Sequence, residues 1–236
     1  MGIYFQVTTI CNFSCKHCCF GMGRGDKGEH MSLETFAKAL EKFGPMIAEK
    51  NKYIAIGGGE PTLHPDFWKM VEMALVYGYP WVATNGSRTN DSLFLCDLAR
   101  MGVMGVALSQ DAWHDPIDDC VVKAFRDGMK WTGNPSWDAW FPIDPNPNGV
   151  IDRREIRTVK RPIKTKNVKD VQDMRDGCCC PGLRIVPNGD LHTCGCEDAP
   201  RIGSLDDDIT DIQYKYYDIF DGCYKYPNPI YVGAGK

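Results

Sequence analysis

Three features of the sequence predict an α/β fold built on a parallel sheet. Short apolar runs of strand length alternate with longer stretches of helical period from Tyr4 to Met129. Each helical stretch carries its apolar residues on one side. Polar residues gather just past the C-terminal end of every apolar run. This alternation gives parallel strands with helices packed outside them, either as an open doubly wound sheet or as a barrel.

The first strand is Tyr4–Thr8. Ser32 caps the helix that follows, with Leu33, Phe36, Ala37 and Leu40 facing inward. Tyr53–Ile56 is the second strand, and the next helix places Phe67, Met70, Val71, Ala74 and Leu75 on one face. Pro65 suits its first turn and Gly78 its stop. Trp81–Thr84 and Met104–Leu108 complete four short runs of the kind buried in parallel sheets. The helix after the fourth run shows Ile117, Cys120, Val121, Ala124 and Phe125, with Asp115 as cap and Pro116 at the first position.

Beyond Met129 the period is lost. Trp131 to Gly149 is rich in Trp, Pro, Asn and Gly and reads as a covering loop. Glu155–Arg161 reads as a fifth strand. The basic residues from Arg153 to Lys169 are diluted by Asp152, Glu155 and Asp170 and read as a solvated face. Leu183–Val186 and Asp190–Thr193 flank Pro187-Asn188-Gly189, a hairpin signal bracketed by cysteines. The tail from Asp206 is acidic, then aromatic, and ends in a loosely ordered Gly/Pro-rich stretch.

Composition narrows the function classes. A length of 236 residues suits one large domain or slightly more, and 43% hydrophobic with 25% charged residues is ordinary for a globular protein. Net charge of −4 argues against nucleic acid held on a general basic surface. No apolar run approaches a membrane span, and MGIYFQVTT lacks the basic start and apolar core of a secretory signal. A cytoplasmic protein with no membrane partner is expected.

Twelve cysteines are many for that compartment. Cys11, Cys15, Cys18 and Cys19 cluster at the front, and Cys178, Cys179, Cys180, Cys194, Cys196 and Cys223 at the back. Clustered thiols in a reducing setting point to metal. Cys96 and Cys120 stand apart inside helical patterns and read as small buried apolar residues. Cys11, Cys15 and Cys18, in CNFSCKHC, can hold three irons of a four-iron cluster and leave the fourth open. Cys19 is set aside because adjacent cysteines point differently. Zinc, the alternative, usually takes four ligands in two close pairs. GGGEPTLHP, from Gly57 to Pro65, supplies what a small zwitterionic ligand of the open iron would need nearby. Gly57, Gly58 and Gly59 allow the backbone to approach a ligand closely, and Glu60 offers a backbone or carboxylate oxygen to an ammonium group.

CNFSCKHC followed by GGGEP resembles the signature of the radical S-adenosylmethionine (SAM) superfamily. The resemblance implies a partial (β/α)6 TIM-like barrel over residues 1–165, with a small cysteine-rich β-hairpin extension over residues 166–236. It implies a [4Fe-4S] cluster on Cys11, Cys15 and Cys18, with SAM chelating the open iron. One electron then cleaves SAM to methionine and a 5′-deoxyadenosyl radical that abstracts hydrogen from a peptide or small-molecule substrate. The resemblance also places His17, Gly58, Gly59, Glu60, Thr84, Asn85, Ser109 and Asp111 around SAM. His114 and Asp115 lie on the same rim, where substrate contact and simple helix capping both account for them. No catalytic side chain is assigned.

CCCPGLRIVPNGDLHTCGC resembles a twitch domain or a reduced SPASM domain, which implies a second, auxiliary [4Fe-4S] cluster. Its candidate ligands are Cys180, Cys194, Cys196 and Cys223, with Cys178 and Cys179 as alternatives to Cys180, and a zinc site or unligated thiols are the other readings of these cysteines. A flavodoxin or ferredoxin is the implied electron donor. A nucleotide-type substrate is the second choice. The rival from another class is a non-catalytic iron–sulfur electron carrier, against which the GGGEP run argues.

Overall fold

Every described strand joins one sheet in the computed structural model, which describes residues 3–15, 18, 20, 27–49, 53–109, 114–128, 150–151, 181–194 and 199–222. The strands are β1 (Ile3–Thr8), β2 (Tyr53–Gly58), β3 (Tyr79–Thr84), β4 (Gly105–Ser109), β5 (Val150–Ile151), β6 (Pro181–Ile185), β7 (Asp190–Cys194) and β8 (Arg201–Ser204). Their spatial order is β5-β4-β3-β2-β1-β6-β7-β8. All pairs from β5 through β1 to β6 are parallel, and β6–β7 and β7–β8 are antiparallel. The helices are α1 (Leu33–Glu49), α2 (Phe67–Leu75), α3 (Thr89–Arg100), α4 (Asp119–Gly128) and α5 (Ile209–Gly222).

The register shows which way each strand faces. Ile185, Phe5, Ile56, Val82 and Val106 are successive partners across β6, β1, β2, β3 and β4, so their side chains share one face. All five belong to the main buried cluster. The same cluster takes Phe36, Leu40 and Phe43 from α1, Met70 from α2, Leu95 from α3, Val121 and Phe125 from α4, and Ile212 from α5. Phe5 meets Phe36 edge-on with ring centroids 5.1 Å apart. Burying each such ring stabilises the fold by about 1.5–3 kcal/mol. A doubly wound sheet carries helices on both faces, whereas here one face takes all five described helices. Arg184, Tyr4, Ala55, Trp81 and Gly105 form the matching row on the opposite face.

The four expected strands are present with ends shifted by one or two residues. Ser32 caps α1 as expected, its Oγ accepting from Thr35 N–H at 3.0 Å. In α2, Phe67, Met70, Val71 and Ala74 are buried, but Leu75 ends the helix at 41% exposure. Helix α4 begins at Asp119 rather than behind Asp115, and Cys120 is exposed in its first turn. Cys96 is buried as expected.

The Gly189 turn is as predicted: φ is +84° and Gly189 N–H donates to Val186 O at 2.8 Å. Beyond β7, two elements were not foreseen. Strand β8 pairs with β7, and α5 lies where only an acidic and aromatic tail was expected. Ile212 and Tyr216, four apart, anchor α5 to the core. The expected covering loop, the strand Glu155–Arg161, the basic stretch and the Gly/Pro-rich end lie outside the described residues. The fifth described strand in chain order is Val150–Ile151.

Candidate metal and cofactor site

Three strand ends meet around Cys11. The chain leaves β1 through Thr9 and Ile10 into the cysteine loop, where Cys18 N–H donates to Cys15 O at 3.0 Å. The glycine loop after β2 lies directly on this segment. Gly59 N–H donates to Thr8 O and Glu60 N–H to Ile10 O, both at 2.9 Å. A Cβ on Gly59 would stand 2.1 Å from Ile10 O and 2.9 Å from Cys11 Cβ. A Cβ on Gly58 would stand 2.2 Å from Thr8 O. These glycines therefore let two backbones touch, a use that the sequence reading did not anticipate.

Glu60 is almost wholly buried and its carboxylate accepts four hydrogen bonds. Oε1 accepts from Thr62 Oγ1 (2.6 Å), Thr84 Oγ1 (2.8 Å) and Thr62 N–H (3.2 Å), and Oε2 from Asn85 N–H (2.7 Å). Burial pushes the Glu60 carboxyl above its ordinary value, and these donors pull it back. Thr84 Oγ1 also accepts from Gly86 N–H at 3.1 Å, so that hydroxyl is engaged in both directions.

Asn85 carries the link onward. Its Nδ2 donates to Asn12 Oδ1 at 3.0 Å and approaches Cys11 Sγ at 3.9 Å. Its Oδ1 accepts from Ser87 N–H at 2.9 Å, while Asn12 Nδ2 donates to Ser87 Oγ at 2.8 Å. Cys11 Sγ also accepts from Phe13 N–H at 3.4 Å. Burial pushes the Cys11 thiol up to about 11. The Phe13 bond draws it back, and the charges of Glu60 and Cys18 add to the rise. Metal coordination overrides such a shift, because a coordinating thiol is deprotonated outright.

Among the described residues no three His, Cys, Asp or Glu side chains converge on a single metal ion. A cubane needs no such convergence, since each thiolate takes a different iron. Three thiols on one loop, with two N–H donors directed at the Cys11 sulfur, suit an iron–sulfur cluster.

Of the other expected site residues, Ser109 is buried at the end of β4. His114 packs edge-on against Phe13 of the cysteine loop, centroids 6.1 Å apart. His17, Asp111, Cys180, Cys196 and Cys223 lie outside the described residues, as do Cys178 and Cys179. Cys194 ends β7 with its backbone opposite Pro181, the residue after Cys180. Asn12, Thr62 and Ser87 were missed. Asn12 occupies a variable position of the cysteine motif, and Ser87 reads as an ordinary turn residue, so neither carried a signal.

A family model of the radical SAM superfamily matches residues 5–140, more than half of the chain, and the chain belongs to that superfamily. The family uses a [4Fe-4S] cluster and SAM. The chain is 33% identical over 119 residues to the mycofactocin maturase MftC of Mycobacterium ulcerans, covering 50% of this chain and 31% of that protein. It is 36% identical over 114 residues to the tungsten-containing aldehyde ferredoxin oxidoreductase cofactor-modifying protein of Pyrococcus furiosus, covering 46% and 30%. With the GTP 3′,8-cyclase of Psychromonas ingrahamii it shares 33% over 87 residues, covering 36% and 25%. The match thus spans about a third or less of these curated relatives.

Two solved structures share the fold at 15% identity. BtrN in complex with AdoMet and 2-DOIA gives a TM-score of 0.57 over 95% of this chain and 87% of that one. Native anSMEcpe with bound AdoMet and Kp18Cys peptide gives 0.51 over 92% and 81%. Among the described residues no helix is long and apolar enough to cross a membrane.

Proposed function

We propose that the protein is a radical SAM enzyme whose [4Fe-4S] cluster is held by Cys11, Cys15 and Cys18. The observation that carries this is the meeting of three strand ends on one sulfur-bearing loop. Gly59 and Glu60 bind the backbone of Thr8 and Ile10, and Asn85 points an N–H at Cys11. When bound, cluster and SAM supply reductive cleavage to methionine and a 5′-deoxyadenosyl radical that takes hydrogen from substrate.

The chain's own part is to orient and exclude. Glu60 braces the β2 loop against β3 through Thr84 Oγ1 and Asn85 N–H, and its carboxylate is fully engaged, so its backbone oxygen, which accepts Leu63 N–H at 3.1 Å and keeps a second lone pair, is the group offered to the SAM ammonium. Asn85 and Phe13 steady the Cys11 sulfur. Gly58, Thr84, Ser109, Asp111 and His17 complete the SAM surroundings in this reading. Helices confined to one face of the sheet favour a partial barrel over a doubly wound sheet.

Residues 166–236 form the cysteine-rich extension in this reading, and Cys180, Cys194, Cys196 and Cys223 hold an auxiliary cluster. The opposition of Cys194 to Pro181 supports it, because it brings the neighbour of Cys180 to the same hairpin end. The substrate is a peptide or small molecule, as the peptide in anSMEcpe and the 2-DOIA in BtrN suggest by fold. A nucleotide is the second reading, favoured by the identity with GTP 3′,8-cyclase. A cytoplasmic flavodoxin or ferredoxin supplies the electron.

The test is anaerobic reconstitution with iron and sulfide, followed by dithionite and SAM. 5′-Deoxyadenosine is expected from the wild type and not from Cys11→Ala. Bound iron with no 5′-deoxyadenosine would leave the electron-carrier reading standing instead. Iron remaining in a variant without the three front cysteines supports the auxiliary cluster, and none remaining removes it.

A further inference from the structure

The face of the sheet turned away from the helices holds two buried polar groups with no complement among the described residues. Arg184 on β6 is 5% exposed and its Nε–H has no hydrogen-bond partner there. Gln6 on β1 is 1% exposed and its Oε1 is likewise unpaired. The register makes them neighbours. Arg184 is the in-register partner of Tyr4, and Gln6 stands two residues further along β1 on the same side.

Among the described residues the strands beside Arg184 bring more positive than negative charge. His192 of β7 faces Arg184, and Arg201 of β8 faces His192. The acid nearest in sequence on these strands, Asp190, is engaged by Arg201 at 2.8 Å. His192 Nδ1 meets Ala199 O at 2.9 Å, which makes Nδ1 the protonated nitrogen and leaves Nε2 without that proton. A buried guanidinium whose Nε–H finds no partner among the described residues is costly, and so is a buried carbonyl without a donor. One ligand can relieve both only if it carries an anion for the arginine and an N–H for the glutamine.

We propose that Arg184 and Gln6 form a ligand subsite for a carboxylate with an adjacent N–H, the pair of groups found in an amino acid or at the end of a peptide. Arg184 Nε–H donates to the carboxylate, and Gln6 Oε1 accepts from the N–H. As a subsite for the enzyme's substrate this rests on the catalytic reading above; as a binding site it does not. It commits that reading to an amino-acid or peptide ligand rather than a nucleotide phosphate. Arg184 suits the task because its planar fork matches a carboxylate in two bonds, which a lysine cannot do.

The experiment follows the thermal unfolding midpoint of the reconstituted, anaerobic protein with N-acetylglycine, acetate, inorganic phosphate or SAM, against sodium chloride of equal ionic strength. A ligand that binds only the folded state raises the midpoint. N-acetylglycine is expected to raise it most and acetate less. Arg184→Met abolishes both shifts, and Arg184→Lys weakens the apparent affinity roughly tenfold. Gln6→Leu removes the advantage of N-acetylglycine over acetate.

No shift beyond chloride in the wild type overturns the proposal, and so does a shift that survives in Arg184→Met. A larger response to phosphate than to either carboxylate assigns the site to phosphate and overturns the carboxylate. Loss of the SAM response in Arg184→Met would give the pair to SAM and overturn it as well. If the methionine variant does not fold, the lysine variant decides: a full wild-type shift there overturns the proposal. Formation of 5′-deoxyadenosine by the wild type is scored separately, so failure of the subsite and failure of the catalytic reading are told apart.

Discussion

Replacing Glu60 should cost more than replacing most surface carboxylates, and the structure allows the cost to be worked out. The carboxylate takes two hydroxyl and two backbone donors in a buried pocket. In Glu60→Ala the hydroxyls of Thr62 and Thr84 can rotate to other acceptors, but the N–H groups of Thr62 and Asn85 cannot. A buried donor left unsatisfied costs about 1–3 kcal/mol, so two give about 2–6 kcal/mol. That is a large share of a typical folding free energy of about 5–15 kcal/mol. Glu60→Gln keeps the shape and Oε1, but turns an amide N–H toward Asn85 N–H, so its loss falls at the lower end, about 2–3 kcal/mol.

Denaturant unfolding of the metal-free, reduced protein measures this directly, and iron content after reconstitution reports whether the cysteine loop has lost its tether. Iron loading should fall in both variants, because Asn85 connects the carboxylate to Asn12 and Cys11. A loss below about 1 kcal/mol in Glu60→Ala, with full iron loading, would refute the brace.

Two other outcomes follow from the same region. Gly59→Ala places a methyl group 2.1 Å from Ile10 O, so the β2 loop and the cysteine loop must part. Iron bound per chain should drop while the far-UV spectrum stays that of the wild type. His64 is buried, with Nε2 on Met31 O at 2.8 Å and Nδ1 accepting from Asp66 N–H at 3.0 Å. Burial holds its pKa below the ordinary 6.5, with His30 adding to the fall and the Met31 bond and Asp66 opposing it. The unfolded chain therefore binds the proton more readily. The contribution of His64 is complete above about pH 6.5 and is lost as the pH falls below it. The unfolding midpoint should decline from pH 7 to pH 5, and less steeply in His64→Gln. Equal slopes would show that another group governs the acid side.

Most of the strand and helix plan was legible because period and length carry it. Phe5, Ile56, Val82 and Val106 sit in short apolar runs, and those runs became neighbouring parallel strands. The cysteine spacing and the GGGEP run singled out the loops that do meet. The roles inside that meeting were less legible. Glu60, Thr84 and Asn85 read as contacts for a ligand, and that their polar groups also bind one another was not legible, because a hydrogen bond across strand ends leaves no trace in local sequence. Cys120 read as buried from its period, but α4 starts later than Pro116 suggested and leaves it in an exposed first turn. Helix α5 was hidden behind three consecutive aspartates, although Asp208 Oδ1 accepts from Thr210 N–H at 2.7 Å at its start.

The pairing of β6 with β1 bears on how the chain is assembled during synthesis. Strand β1 receives one of its two neighbours only after Ile185 has been made. Until then its second edge stays open, with Ile3, Phe5 and Val7 awaiting cover from β6, the kind of rim on which nascent chains stick to one another. A polypeptide stopped short of residue 181 would keep that rim for good, so β1 depends for its protection on a segment made long after it.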